Sequence, residues 1–193
     1  MASGETPKPG GASSAALLLS ERAGLLPPSH LVDDLLAPGL RLVFCGTALG
    51  RKSAEARAYY ANPTNLFWRA LHETGLTPTR IAPQDYAQLL PLGIGLTDLA
   101  KAHFGNDSEL PADAFDIAAL EAKILSFQPA FLAFTSKTAA AAALGVKTGK
   151  LRLGEQSARI GETRLWVLPS PSGMARSYWT LAPWQKLAEA FRA

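Results

Sequence analysis

Short, mainly apolar runs alternate along the chain with segments in which apolar residues recur every three or four positions. The runs Leu40–Cys45, Ile94–Thr97 and Phe131–Thr135 predict buried strands. The periodic segments predict helices over His30–Leu36, Pro63–Thr74, Pro83–Leu90, Ala114–Phe127 and Leu181–Phe191. Strands that alternate with helices indicate a mostly parallel sheet covered on both faces. We therefore predict an α/β fold, a three-layer sandwich with a central mostly parallel sheet flanked by helices.

Local signals predict where several elements begin and end. Ser136 is suited to cap an alanine-rich helix, which Gly145 would end. Gly161-Glu162-Thr163 separates the strand-like segments Ser157–Ile160 and Arg164–Leu168 and predicts a hairpin.

The chain divides into a tail and one domain. Residues 1–14 are rich in Gly, Ser, Pro and Ala, and we expect residues 1–28 to be a flexible tail. Residues 29–193 are expected to form a single domain, because this length can bury one sizeable core.

The composition is that of a soluble globular protein, with 48% hydrophobic residues, 18% charged residues and a net charge of +3. The single cysteine, Cys45, excludes an internal disulfide and a cysteine-based metal site, and we expect a buried, inert thiol. His30, His72 and His103 lack metal-ligand spacing, so neither a metal nor a cofactor is expected. The apolar run Ala15–Leu19 is too short to cross a membrane, and we expect a cytoplasmic protein without a membrane partner.

Two segments that follow predicted strands are candidates for ligand binding, because ligands bind at strand-end loops in open α/β sheets. The first is the glycine-flanked segment Gly46–Gly50. The second combines small polar residues, a flexible glycine, a bulky apolar residue and a cation: Ser170, Ser172, Gly173, Met174 and Arg176. Such residues can hold a nucleic acid backbone and insert a side chain into a base stack, although Met174 could instead pack in the core.

The segment Gly46–Ser53 also has part of the spacing of a P-loop. The motif requires glycine immediately before its lysine, and here Arg51 precedes Lys52. The later predicted strand Phe131–Thr135 runs into Ser136-Lys137 rather than into an aspartate suited to hold magnesium. A P-loop-like nucleotide-binding protein is therefore only a remote alternative.

Four motifs in order resemble bacterial mismatch-specific uracil-DNA glycosylases and their thymine-DNA glycosylase relatives. They are Leu35–Gly46, Asn62–Trp68, Gly95–Leu99 and Trp166–Gly173. The resemblance covers residues 32–192 and implies the fold of the uracil-DNA glycosylase superfamily.

This resemblance implies that the target nucleotide is rotated out of the duplex into a pocket. Met174 matches the wedge that fills the gap left in the base stack. Ser170, Ser172 and Arg176 match residues that bind the flanking phosphates. Tyr60 matches an aromatic residue that stacks on the extruded base.

The resemblance also implies a base pocket that includes Gly46, Thr47 and Ala48. The backbone N–H groups of Thr47 and Ala48 could receive the base oxygen or its developing negative charge. Asn65 lies in the family's second motif, where it would brace the pocket rather than contact the base.

The sequence departs from the family pattern at Ala48, where the family carries an asparagine that holds the attacking water. A methyl group can neither orient nor deprotonate water. In one account the enzyme works without this group, because stabilising the oxocarbenium-like sugar and the leaving base lowers much of the barrier. In a second, Asp98 holds the water or accepts a hydrogen bond from the base, with Asn62 a weaker candidate; Asp98 could also simply cap a helix. In a third, the protein is a catalytically inactive module that binds damaged DNA.

We expect a monofunctional uracil-DNA glycosylase of base-excision repair, acting as a monomer on DNA that contains uracil or a mismatched or deaminated base. It would leave an abasic site without cutting the strand, because no lysine has a clear Schiff-base role. The space beside Ala48 could admit thymine, hypoxanthine or xanthine. The resemblance implies a bacterial protein associated with the nucleoid when working.

Overall fold

A computed structural model describes Met1, residues 31–111 and residues 113–193. Within them, five strands form one sheet in the order β2-β1-β3-β5-β4. The strands are β1 (Leu42–Leu49), β2 (Ile94–Phe104), β3 (Phe131–Phe134), β4 (Gly154–Ile160) and β5 (Thr163–Val167). All neighbours are parallel except β4, which runs antiparallel to β5.

Helices connect these strands. The α-helices are α1 (Arg51–Ala56), α2 (Phe67–Glu73), α3 (Ile117–Phe127), α4 (Lys137–Leu144) and α5 (Ala182–Arg192). 3₁₀ segments span Pro83–Leu92, Asp107–Glu109, Thr148–Lys150 and Gly173–Tyr178. No helix in the described part of the chain is long and apolar enough to cross a membrane.

Two separate apolar cores cover the two faces of the sheet. Leu42 and Phe44 of β1 belong to the core that contains residues of α2 and α5. Val43 and Cys45, which alternate with them, belong to the core that contains residues of α3 and α4. The predicted three-layer α/β sandwich is therefore confirmed, and Cys45 is a fully buried thiol as expected.

The predicted local signals at the second half of the chain are confirmed. Ser136 caps α4, since its Oγ accepts a hydrogen bond from the backbone N–H of Ala139 at 3.0 Å. Gly145 ends this helix with a φ of 63°, a left-handed conformation that favours glycine. β4 and β5 form the predicted hairpin.

The helix predicted over His30–Leu36 is wrong for its described residues, and His30 lies outside them. Leu35 instead pairs with Leu96 in an isolated antiparallel bridge, through N–H···O distances of 2.9 and 3.0 Å. β2 is at the edge of the sheet, and this bridge satisfies backbone groups that the edge would leave unpaired. The tail predicted for residues 1–28 lies outside the described residues apart from Met1.

The segment Gly46–Gly50 is not a loop, because β1 continues through Leu49. Residues Gly46 and Ala48 remain in register with Asp98 and Ala100 of β2, so pairing with a neighbouring strand overrides the glycine signal. β2 is likewise longer than predicted and runs to Phe104.

Three predicted helices differ in extent or type. α2 begins at Phe67 rather than Pro63, because the preceding residues form a turn held by asparagine side chains. α3 begins at Ile117 rather than Ala114, where Asp116 caps it. The segment Pro83–Leu92 is a 3₁₀ helix rather than an α-helix.

Candidate active site

The carboxyl ends of the parallel strands β1, β2 and β3 bring several of the predicted site residues together. Gly46 of β1 and Asp98 of β2 are paired neighbours in the sheet. A Cβ atom on Gly46 would overlap Asp98 Oδ1 and would lie 3.2 Å from the hydroxyl of Tyr60. Gly46 is therefore required here for the space that its missing side chain leaves to the carboxylate.

Asp98 is a buried carboxyl group in the middle of β2, so it does not cap a helix. Its Oδ2 atom is buried and has no hydrogen-bond partner among the described residues. Burial raises the pKa of Asp98 to about 6, although the positive charge of Lys101 opposes this rise. At neutral pH this carboxyl group is therefore mostly ionised but more basic than an ordinary aspartate, as a general base requires.

Tyr60 forms one wall of the site. Its ring stacks on Phe67 with a centroid distance of 3.8 Å and an interplanar angle of 15°. Its hydroxyl lies 3.2 Å from Thr135 Oγ1, and burial raises its pKa well above the usual value, so the phenol stays neutral. Because Phe67 occupies one ring face, an extruded base could stack only on the other.

Thr47 and Ala48 differ in where their backbone groups point. The pairing of β1 with β3 ends at Cys45, whose carbonyl accepts a hydrogen bond from the N–H of Thr135. By strand alternation, Thr47 directs its N–H to this open side, whereas Ala48 directs its N–H toward β2. The hydroxyl of Thr47 lies 3.2 Å from Ser136 Oγ. Of the two predicted backbone donors, Thr47 is therefore the better placed.

Asn62 and Asn65 both hydrogen-bond to nearby backbone. Asn62 is exposed, and its Oδ1 accepts from the N–H and hydroxyl of Thr64 at 3.0 and 2.9 Å. Asn65 Oδ1 accepts from the N–H of Phe67 at 2.9 Å, at the start of α2. Both side chains shape the turn that leads to α2, so Asn62 is not a free group facing Asp98.

The second predicted segment is a short capped structure at the same edge of the sheet. Ser172 Oγ accepts from the N–H of Met174 at 3.4 Å, and Ser170 Oγ accepts from the N–H of Ser172 at 3.3 Å. A Cβ atom on Gly173 would collide with Thr64, so this glycine lets the segment pack closely on the turn before α2.

The side chains that this segment presents are exposed. Met174 is 80% exposed, so its alternative role as a core residue is wrong. Arg176 is exposed as well, and it lines a groove of about 310 Å³ together with Arg69 and Trp179. Tyr178, which sequence reasoning missed, is 81% exposed on the same 3₁₀ helix.

A second group that sequence reasoning missed is an ion cluster beside the site. Asp34 binds Lys101 and Lys123 at 2.9 and 2.6 Å, with side-chain exposures of 14%, 9% and 24%, respectively. A lysine three residues after Asp98, in a strand otherwise rich in buried residues, was the only sequence signal for it.

The geometry argues against the P-loop alternative. The glycine-containing segment belongs to β1, and Ser53 is buried with its Oγ bonded to the N–H of Ala61 at 3.0 Å. Lys52 pairs with Glu55 at 3.0 Å. Across the described residues, no group of three His, Cys, Asp or Glu side chains could hold a metal ion.

The fold and site define a class of protein, an α/β protein with a buried carboxyl group and an exposed apolar side chain at the carboxyl edge of one sheet. The family model of the uracil DNA glycosylase superfamily matches residues 34–192, and the chain belongs to this superfamily. The fold is also similar to the NMR structure of a candidate uracil DNA glycosylase from Methanosarcina acetivorans, which is 19% identical with a TM-score of 0.57. That match covers 84% of this chain and 97% of the other. The superfamily predicted from the four motifs is confirmed.

Proposed function

We propose that this protein is a monofunctional DNA glycosylase that hydrolyses the N-glycosidic bond of uracil in DNA and leaves an abasic site. The observation that carries this proposal is the partly unpartnered, buried carboxyl group of Asp98 beside Gly46, in a chain of the uracil DNA glycosylase superfamily. The carboxylate supplies the polar group that Ala48 cannot.

The reaction proceeds through an oxocarbenium-like sugar, as other glycoside hydrolyses do. The bond between C1′ and the base breaks, and the electron pair leaves with the base. A water oxygen bonds to C1′, while its proton passes to the ionised Asp98. The proton then returns to solvent, and the released base takes up a proton.

The charge of Asp98 has opposite effects on the two charges that develop in the transition state. An ionised carboxylate stabilises the sugar cation but repels the departing base anion. The N–H of Thr47, on the open side of β1, offsets this repulsion by donating to a carbonyl oxygen of the base. We assign these two groups complementary roles in the transition state.

The second segment would hold the DNA. Met174 is an exposed apolar side chain that can replace a base in the stack without needing hydrogen bonds. Ser170, Ser172 and Arg176 would bind the flanking phosphates, with Ser172 also holding the backbone at Met174. We propose that these contacts position the extruded nucleotide beside Tyr60 and Asp98.

The first experiment uses labelled oligonucleotides that contain one uracil, either single-stranded, paired with A or paired with G, followed by alkali to reveal abasic sites. We expect product, and we expect Asp98→Asn to lower the single-turnover rate about 100-fold or more at pH 8. Asp85→Asn, at an exposed carboxyl group, is the matched control and should leave the rate unchanged.

The other outcomes separate the competing accounts. Full activity of Asp98→Ala would favour an enzyme that needs no polar group at this position, whereas full activity of Asp98→Asn alone would show that a polar side chain suffices without a proton acceptor. Absence of product with tight binding to the same DNA would favour an inactive recognition module. A covalent adduct trapped by borohydride would contradict the monofunctional reaction. Substrates that contain thymine, hypoxanthine or xanthine, and G mismatches, test base specificity and the mismatch-specific subgroup.

A further inference from the structure

A partly buried ion cluster lies next to the proposed active site and contains none of the residues assigned to it above. Asp34 is its centre and binds Lys101 at 2.9 Å and Lys123 at 2.6 Å. Thr97, which immediately precedes Asp98, donates its hydroxyl to Asp34 Oδ1 at 2.8 Å. The cluster thereby joins three parts of the fold: the segment that precedes β1, the strand β2 and the helix α3.

All three ammonium protons of Lys101 have acceptors. Besides Asp34, the side chain donates to the carbonyl of Val32 at 2.6 Å and to the hydroxyl of Tyr59 at 2.8 Å. The Tyr59 hydroxyl donates in turn to the carbonyl of Asp33 at 3.2 Å. Lys101 is therefore fixed in place and ties Tyr59 to the segment before β1.

Tyr59 links the cluster mechanically to the pocket, because Tyr60 follows it in the chain. Tyr60 has a φ of 53°, a conformation that costs energy for a residue with a side chain and persists only when its surroundings hold it. The hydroxyl of Tyr60 and Asp98 Oδ1 both lie next to Gly46. Fixing Tyr59 thus helps to fix the wall that faces the carboxylate.

The cluster also acts on Asp98 electrostatically. Two lysines and one aspartate leave it with one excess positive charge. Lys101 and Lys123 lower the pKa of Asp98, whereas Asp34 raises it, against the larger effect of burial. In this poorly solvated region, charges act over longer distances than at an exposed surface.

The remaining titratable groups that act on Asp98 are neutral near its pKa. Cys45 of β1 and the phenols of Tyr59 and Tyr60 all have pKa values raised above their usual range, chiefly by burial. They contribute no charge at pH 5 to 8, so the cluster is the charged neighbour of this carboxyl group.

We propose that the Lys101–Asp34–Lys123 cluster positions Asp98 for the reaction. The cluster holds the turn that bears Tyr60, and it keeps the Asp98 carboxylate ionised, so that this group can accept a proton at neutral pH. The catalytic role of the cluster rests on the proposed function. Its effect on the charge state of Asp98 can be measured without any enzymatic activity.

The experiment is a ¹³C NMR titration of the aspartate carboxyl carbons in the full chain, with Asp98→Asn used to assign the resonance. We expect a midpoint near 6 in the unsubstituted protein. An opposite charge near a carboxyl group commonly lowers its pKa by about 1 or more. Lys101→Met should therefore raise the midpoint by about one pH unit, Lys101→Arg should keep it near that of the unsubstituted protein, and Asp34→Asn should lower it.

The opposite signs distinguish this role from a merely structural one. A structural role would broaden or weaken the signal in both variants without moving the midpoints in opposite directions. Unmoved midpoints, or shifts of the same sign, would overturn the proposal. If Lys101→Met does not fold, Lys123→Met decides, because this more exposed lysine makes no hydrogen bond to Tyr59 among the described residues and should also raise the midpoint.

Single-turnover rates on uracil DNA then test the catalytic role of the cluster. The acid limb of the rate against pH should follow the NMR midpoint in each variant. NMR shifts of the expected sign in a protein without glycosylase activity would retain the electrostatic role and overturn the proposed function. Active variants with unmoved midpoints would retain the function and overturn the role of the cluster.

Discussion

At the scale of single residues, the proposed site depends on a close contact between a glycine and a buried carboxyl group. Gly46 and Asp98 are paired across two parallel strands, and the carboxylate occupies the space where a side chain on Gly46 would lie. Asp98 is 4% exposed, so it cannot move into solvent without disturbing the strand.

Gly46→Ala should displace the Asp98 carboxylate and lower the single-turnover rate on uracil DNA about 100-fold. Inserting a methyl group into a packed region also costs about 1–3 kcal/mol of unfolding free energy. Gly149→Ala is the control, because a Cβ atom there meets nothing within 4 Å. Rates and urea denaturation of both variants test this, and a fully active Gly46→Ala would contradict the placement of Asp98 in the reaction.

At the scale of elements, the 3₁₀ helix Gly173–Tyr178 presents its exposed side chains from a fixed base. The backbone N–H of Leu66 donates to the carbonyl of Pro171 at 2.8 Å, which joins this segment to the turn before α2. Gly173 packs on Thr64 of the same turn. A side chain on this helix can therefore insert into DNA without displacement of the segment that carries it.

Met174→Ala should lower activity more on duplex DNA than on single-stranded DNA, because only the duplex needs a wedge to replace the extruded base. Val146→Ala, at an exposed apolar residue after α4, serves as the control. Rates on both forms of the substrate decide the matter. Equal losses for Met174→Ala on both forms would argue against the wedge.

Arg176→Ala should weaken DNA binding and reduce the slope of log affinity against log salt concentration by about 1, as the loss of one phosphate contact does. Arg159→Ala is a suitable control. Arg159 is an exposed arginine next to the hairpin turn, at the amino end of β5, whereas Arg176 follows the carboxyl end of β5. Binding titrations at several salt concentrations provide the test. An unchanged slope for Arg176→Ala would remove this arginine from the interface.

At the scale of the whole molecule, the buried charge of Asp98 reduces the stability of the fold. Its pKa in the folded protein is about 6 against an ordinary value of 3.8, so the unfolded chain releases this proton first as the pH rises. The resulting loss of unfolding free energy begins near pH 4 and is complete above about pH 7. A pKa difference of about 2 corresponds to roughly 3 kcal/mol.

Asp98→Asn should therefore gain stability relative to the unsubstituted protein as the pH increases. Urea denaturation of both proteins at pH 4.5 and 7.5 measures the difference in unfolding free energy, and the comparison cancels other carboxyl groups. The difference should favour the variant by about 2–3 kcal/mol more at the higher pH. A difference that does not change with pH would contradict the raised pKa.

Much of the fold was predictable because hydrophobic periodicity and capping residues report on local structure. The central strands, the hairpin and the cap at Ser136 follow from such local signals. The predicted helix before Pro38 fails, because the backbone pairing of Leu35 with Leu96 joins residues far apart in sequence. Propensity cannot anticipate such a partner.

The sequence by itself determined the layered α/β architecture and the superfamily, since these depend on residue type and local pattern. Only the tertiary structure decided that Gly46 lies in a strand against Asp98 and that Lys101 and Asp34 form a partly buried ion pair beside it. The physical reason is that burial, charge and close packing arise between strands and segments distant in the chain. The protonation of Asp98 therefore belongs to the folded molecule and to no single motif.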